Sequence, residues 1–151
     1  MATYFYRGFL PLIGLFLIIG VSCSKKTASA DSTPVASNIY FIIGSGGGVS
    51  GLYEQYKVYP SGVVEWYNFD EKTYVPYSTL AASSNKDIWT DFQALNVMDQ
   101  NIDRPGNYSY YIEEVNGDRR NRVTWSDEND MPIPTFKSFF RTTERLLKNT
   151  K

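Results

Sequence analysis

Residues 39–69 read IYFIIGSGGGVSGLYEQYKVYPSGVVEWYNF, and this stretch decides the fold. Ile39 to Ile43 is an unbroken apolar run rich in β-branched and aromatic residues, which predicts a buried strand. Gly44 to Gly51 is a glycine-rich connection, expected as a loop. In Leu52 to Tyr59, Leu52, Tyr56 and Val58 fall on one face of a second strand. Pro60-Ser61-Gly62 is a turn. Val63 to Phe69 then sets Val64 and Trp66 against Val63, Tyr67 and Phe69, the period-2 pattern of a half-buried strand. Asp70-Glu71-Lys72 turns again, and Tyr74 to Leu80 makes a fourth strand, weakened by Pro76, which lacks a ladder donor.

The period changes after Leu80. Ser84, with Asp87 three residues on, has the form of a helix start. Ile88, Phe92 and Leu95, with Trp89 beside them, share one helical face, so the spacing predicts a helix over 85–97. Asp99 to Asn107 is a loop. Tyr108 to Val115 and Arg120 to Ser126 flank Asn116-Gly117-Asp118, and Asn-Gly between two strand-like runs is a strong hairpin signal. Arg119, Arg120 and Arg122 gather at that end, either to meet an acidic partner or as an exposed tip. Asp127 to Pro134 is a second loop. A final helix is expected from about Thr135, with Phe136, Phe139, Phe140, Leu146 and Leu147 in one stripe and Arg145 and Lys148 in its last turn. Four strands, a helix, two strands and a helix make an α+β domain, an antiparallel meander of about six strands with two helices packed on it.

The N-terminal 38 residues read differently. Gly8 to Val21 is an apolar run of 14 residues behind Arg7, with no acid before Asp31. As a helix it would be about 21 Å long, short of the ~30 Å hydrocarbon core of a bilayer. A charged start and a short apolar centre are the marks of a secretory signal. Cys23, the only cysteine, follows Val21-Ser22 directly. The segment resembles the lipoprotein signals of Bacteroidota, although Gly20 stands where leucine is usual. The resemblance implies cleavage after residue 22 and lipidation of Cys23, with acyl chains that hold the protein to a membrane. Residues 23–38 are then a lipidated cysteine and flexible tether, and 39–151 the single globular domain. Lys25 and Lys26 stand where surface lipoproteins of this type often carry acids, so the periplasmic and surface faces both stay open. Asp31-Ser32-Thr33 is similar to the Bacteroidota O-glycosylation motif.

Composition narrows the function. All 16 acidic residues lie after residue 22, and no basic stripe points to nucleic acid. The chain has no histidine. With Cys23 modified, the domain has no thiol either, so histidine-assisted serine chemistry, a cysteine nucleophile and histidine metal sites are excluded. With 12 Tyr, 9 Phe and 3 Trp, the chain is aromatic enough to suit strands and binding surfaces.

Gly46-Gly47-Gly48-Val49-Ser50-Gly51 has the form G-x-G-x-x-G. A dinucleotide site needs a helix next, and LYEQYKVY is strand-like, so no nucleotide, cofactor or metal is assigned. The run is either a glycine-rich turn or a loop whose bare backbone meets a partner. Residues 39–66 resemble a recurrent pattern of small uncharacterised Bacteroidota lipoproteins: apolar strand, Gly-Ser-Gly-Gly-Gly, a Ser/Thr-Gly pair, strand, polar-Gly turn. Pro105-Gly106-Asn107 and Val123-Thr124-Trp125 are similar too. The resemblance implies one domain of shared fold over most of 39–148 and lends no catalytic residue.

Two other constellations stand beside their plainer readings. Glu54, Glu65, Glu113 and Glu114 on strands form either a glycosidase-like carboxylate pair or the wet face of a sheet. Asp127, Asn129 and Asp130 are either calcium ligands or a solvated loop. The expectation is a lipid-anchored outer-membrane lipoprotein of the cell envelope that acts as a non-enzymatic protein-binding module. Small lipoproteins of resembling organisation include peptidase inhibitors, so the sharpest version is an inhibitor of an envelope or secreted peptidase. It would act through Gly46, Gly47, Gly48, Val49 and Ser50, or through Met131, Pro132, Ile133 and Pro134. The alternative is a structural or assembly subunit of an outer-membrane complex.

Overall fold

A computed structural model describes residues 38–48, 51–127 and 134–150. The expected signal segment, Cys23 and the expected tether up to residue 37 lie outside the described residues. The chain runs β1 (Ile39–Gly47), β2 (Leu52–Val58), β3 (Val63–Asn68), β4 (Thr73–Thr79), α1 (Ala82–Leu95), a short 3-10 turn (Val97–Asp99), β5 (Tyr108–Asn116), β6 (Arg119–Ser126) and α2 (Pro134–Lys148). The α+β class, the antiparallel sheet of six strands and the two helices are those the sequence predicts. The order across the sheet is β4-β3-β2-β1-β5-β6. The hairpin β5–β6 therefore joins the meander at its first strand, so β1 pairs on both sides.

That central place explains why Ile39 to Ile43 is apolar without alternation. Phe41 and Ile43 face the helices, while Ile42 faces the other way yet is only 5% exposed. A strand covered on both faces has no wet side to mark with polar residues. Outer strands keep their alternation: Val58 and Val64 are buried on the helix side while Lys57 and Glu65, opposite one another, lie on the far side.

Both helices cover one face. Phe41 stacks on Phe92 of α1, with ring centres 4.5 Å apart, and meets Trp89 and Phe139 edge-on. Phe140 of α2 meets Tyr110 and Trp125 edge-on. Such buried aromatics stabilise the fold by about 1.5–3 kcal/mol each through loss of apolar surface, with about 0.5–1.5 kcal/mol more for a well-oriented pair. The predicted stripes hold, except that Thr143 is buried in α2 while Leu146 is only partly so.

Several boundaries differ from the sequence reading. The first helix starts at Ala82, with Ala81 at its cap and no side-chain capping bond, so Ser84 sits inside the first turn. It stops at Leu95 because Asn96 takes the left-handed conformation (φ 50°), and Val97 begins the 3-10 turn. The glycine-rich run is strand as far as Gly47, where a loop was expected from Gly44 onward. Pro134 belongs to the second helix, not to the loop before it. The expected hairpin is present, with Gly117 at positive φ (62°) and strands one residue longer on each side.

The sheet edges are guarded. Beside β6, Thr124 accepts from Arg104 N–H and donates to Ile102 C=O, both at 2.9 Å, so residues 102–104 cover part of that edge. At β4, Pro76 withholds a donor opposite Glu65, next to a register shift at Val64 and Glu65 that places one extra residue in β4. Both devices blunt edge-to-edge pairing.

Candidate functional site

No described helix covers the second face of the sheet, and the side chains there build a layer of their own. Its centre is Lys57. The ammonium lies 3.2 Å from Glu65 and 3.6, 5.0 and 5.7 Å from the ring centres of Tyr74, Tyr40 and Tyr59. A cation among three ring faces gains roughly 0.5–2 kcal/mol from their quadrupoles. Tyr59 also donates its hydroxyl to Glu65 at 2.9 Å. Burial, and then that carboxylate, raise the Tyr59 phenol well above its ordinary value.

Two glycines of β1 let this layer close. A Cβ at Gly44 would collide with the ring of Tyr111, and one at Gly46 with the ring of Tyr53. Each ring thus lies across bare backbone. Tyr111 reaches from β5 over β1 and donates to Gln55 Oε1 of β2 at 2.6 Å; Gln55 Nε2 in turn meets the Tyr74 hydroxyl. Burial pushes the Tyr111 phenol up to about 12, with the Arg122 charge pulling the other way.

Toward β6 the layer ends in a buried acid. Glu113 is 2% exposed, contrary to the expectation of a wet-face carboxylate. Arg120 Nε lies 3.0 Å from its Oε1, Arg122 Nε 2.6 Å from its Oε2, and Arg122 Nη2 meets Oε2 as well. Arg120 and Arg122 of the hairpin therefore pair within the chain. Toward β3 the layer ends in exposed aromatics. Tyr53 and Phe69 are 56% and 37% exposed, with ring centres 5.5 Å apart, and Phe69 meets Tyr67 edge-on.

The residues singled out from sequence are not brought together. Gly46 and Gly47 sit within β1, and Gly48 begins the turn. Val49, Ser50, Met131, Pro132 and Ile133 lie outside the described residues, and Pro134 opens α2. Ser45 points to the helix side and takes a hydrogen bond from the Tyr108 hydroxyl at 3.0 Å. Of the four strand carboxylates, Glu54 pairs with Lys148 and Glu114 accepts from Met98 N–H on the helix side. Glu65 and Glu113 share the open face but lie three strands apart through Lys57 and Ile42. That is about 14 Å at the usual strand spacing, beyond the ~9.5 Å a water-activating carboxylate pair spans. Asp127 is taken by Lys137 and Arg141, while Asn129 and Asp130 lie outside the described residues. Among the described residues no group of three metal-ligating side chains occurs, and no helix is long and apolar enough to cross a membrane.

Sequence reasoning missed Tyr53, Gln55 and Lys57. Their signal was the odd-numbered half of LYEQYKVY, the side opposite Leu52, Tyr56 and Val58. No protein-family model and no curated protein matches the chain.

Proposed function

We propose that the protein is a lipid-anchored, non-enzymatic protein-binding module of the cell envelope, held to the membrane through Cys23, whose recognition surface is the sheet face opposite the described helices. The observation that carries this reading is the exposed pair Tyr53 and Phe69, backed by Gly46 and Tyr67. Large rings held in place on bare backbone lose little entropy when a partner covers them. Tyrosine and arginine are enriched where partners bind tightly, and both are half-exposed on this face at Tyr53 and Arg122. The glycine run then supports the surface rather than contacting the partner itself. A peptidase is one partner class this surface suits; an assembly neighbour in the outer membrane is the other.

The test is site-specific photocrosslinking in the native envelope, with the probe at Tyr53 or Phe69 and, as a control, at the exposed Gln93 of α1. Adducts with one protein from positions 53 and 69, and none from 93, are the expected result. Equal labelling from all three positions would remove the assignment of the sheet face.

A further inference from the structure

We infer that Arg120 and Arg122 form a preorganised receptor for the carboxylates of an acidic protein segment. This deepens the reading above and rests on it. Glu113 is the one described carboxylate that either arginine pairs with, and it engages each through the ε nitrogen. The acid is 2% exposed beneath side chains that are 63% and 50% exposed. One buried anion under two cations leaves a single positive charge in excess at the surface. The Arg122 guanidinium also stands 4.4 Å from the ring centre of Tyr111, which fixes its plane. An arginine whose plane is already set surrenders less freedom when its remaining N–H groups form a fork with a carboxylate.

A carboxylate presents two coplanar oxygens to the planar guanidinium fork, and inorganic phosphate, which the same fork can meet, is the competing anion in the test. The two arms also differ. A hollow of about 380 Å³ beside Arg120 is lined by Asp118 as well, which repels an incoming acid. Arg122 has Tyr111 as neighbour instead, so it carries more of the contact.

The experiment titrates fluorescent hexaglutamate into the full-length protein in neutral detergent micelles. Hexalysine, inorganic phosphate and phosphatidylglycerol micelles are the comparison arms. Because an arginine removed alone leaves Glu113 buried and less compensated, the informative variant is Glu113→Gln/Arg122→Gln, which removes both charges and keeps the shape. Saturable, salt-sensitive hexaglutamate binding is expected, weakened about tenfold or more in that variant, and less in Glu113→Gln/Arg120→Gln. Arg122→Lys keeps the charge and loses the fork, so it too should weaken binding. Undiminished binding in the double variants, or stronger binding of phosphate, phosphatidylglycerol or hexalysine, overturns the inference. Loss of the Tyr53 crosslinks with hexaglutamate binding intact would remove the partner reading and spare the arginine pair; the reverse pattern would remove the pair alone.

Discussion

The ring of Tyr111 lies across Gly44, one strand away, in the space a side chain at position 44 would fill. The two residues are a single packing unit. Gly44→Ala should therefore destabilise the fold by about 1–3 kcal/mol, the usual cost of overpacking, as read by urea unfolding. In Gly44→Ala/Tyr111→Ala the collision is gone, so the two single effects should not add. Strict additivity would show that the ring does not rest on the glycine.

Glu113 is buried and its arginines are not, so their removal should be unequal. Arg120→Ala/Arg122→Ala strands a buried carboxylate and should cost about 3–5 kcal/mol. Glu113→Gln releases two guanidiniums that already reach water and should cost clearly less. Equal losses in chemical denaturation would contradict the burial of Glu113.

Five tyrosines, at 56, 59, 74, 110 and 111, have phenols raised above their ordinary value of 10.0, burial being the largest cause in each. A raised folded-state value favours the protonated, folded form. Their contribution is fully present below pH 10 and declines as pH rises past it, toward about 12 for Tyr110 and Tyr111. Absorbance of tyrosinate should thus rise in two stages, the later one coinciding with loss of near-ultraviolet circular dichroism. A single stage near pH 10 with the fold intact would count against the packed layer.

Asp127 titrates in the opposite sense. Its hydrogen bond with Lys137, helped by Tyr110 and opposed by partial burial, holds the carboxyl below its ordinary 3.8. The unfolded chain then binds the proton first, so this contribution is present above pH 3.8 and is lost as pH falls through the folded-state value. Asp127→Asn should flatten the dependence of stability on pH in that acid window. An unchanged profile would mean that the contact to α2 is not populated in solution.

Much of the fold was legible because periodicity reports burial. The alternation of VVEWYNF, the spacing Ile88, Phe92, Leu95 and the Asn116-Gly117 turn each encode one local geometry, and each is present. The strand nature of Gly44 to Gly47 was not legible, because glycine has poor strand propensity and its reason for being there is a ring contributed from a distant part of the chain. Tyr111 is far from Gly44 in sequence, and nothing local announces that β5 will pair with β1. The open-face layer stayed hidden for the same reason. Gln55 and Lys57 carry no local signal, and Glu113 reads as a wet-face candidate, until the sheet order sets tyrosines and arginines beside them. Ser84 misled because a good capping residue competes with the packing of Leu80 and Ile88, which places the helix start earlier.

The most direct test compares two changes on the crosslinked partner's affinity. Tyr53 is 56% exposed and bears little on stability, so Tyr53→Ala leaves the fold intact while removing the centre of the proposed surface. Its loss should weaken binding by about 2 kcal/mol, the range of an interface hot spot, while replacing the turn Gly48–Gly51 with a two-residue hairpin turn leaves affinity unchanged. Full affinity in Tyr53→Ala, with binding lost on replacing the turn, would return recognition to the glycine loop and contradict the sheet-face account.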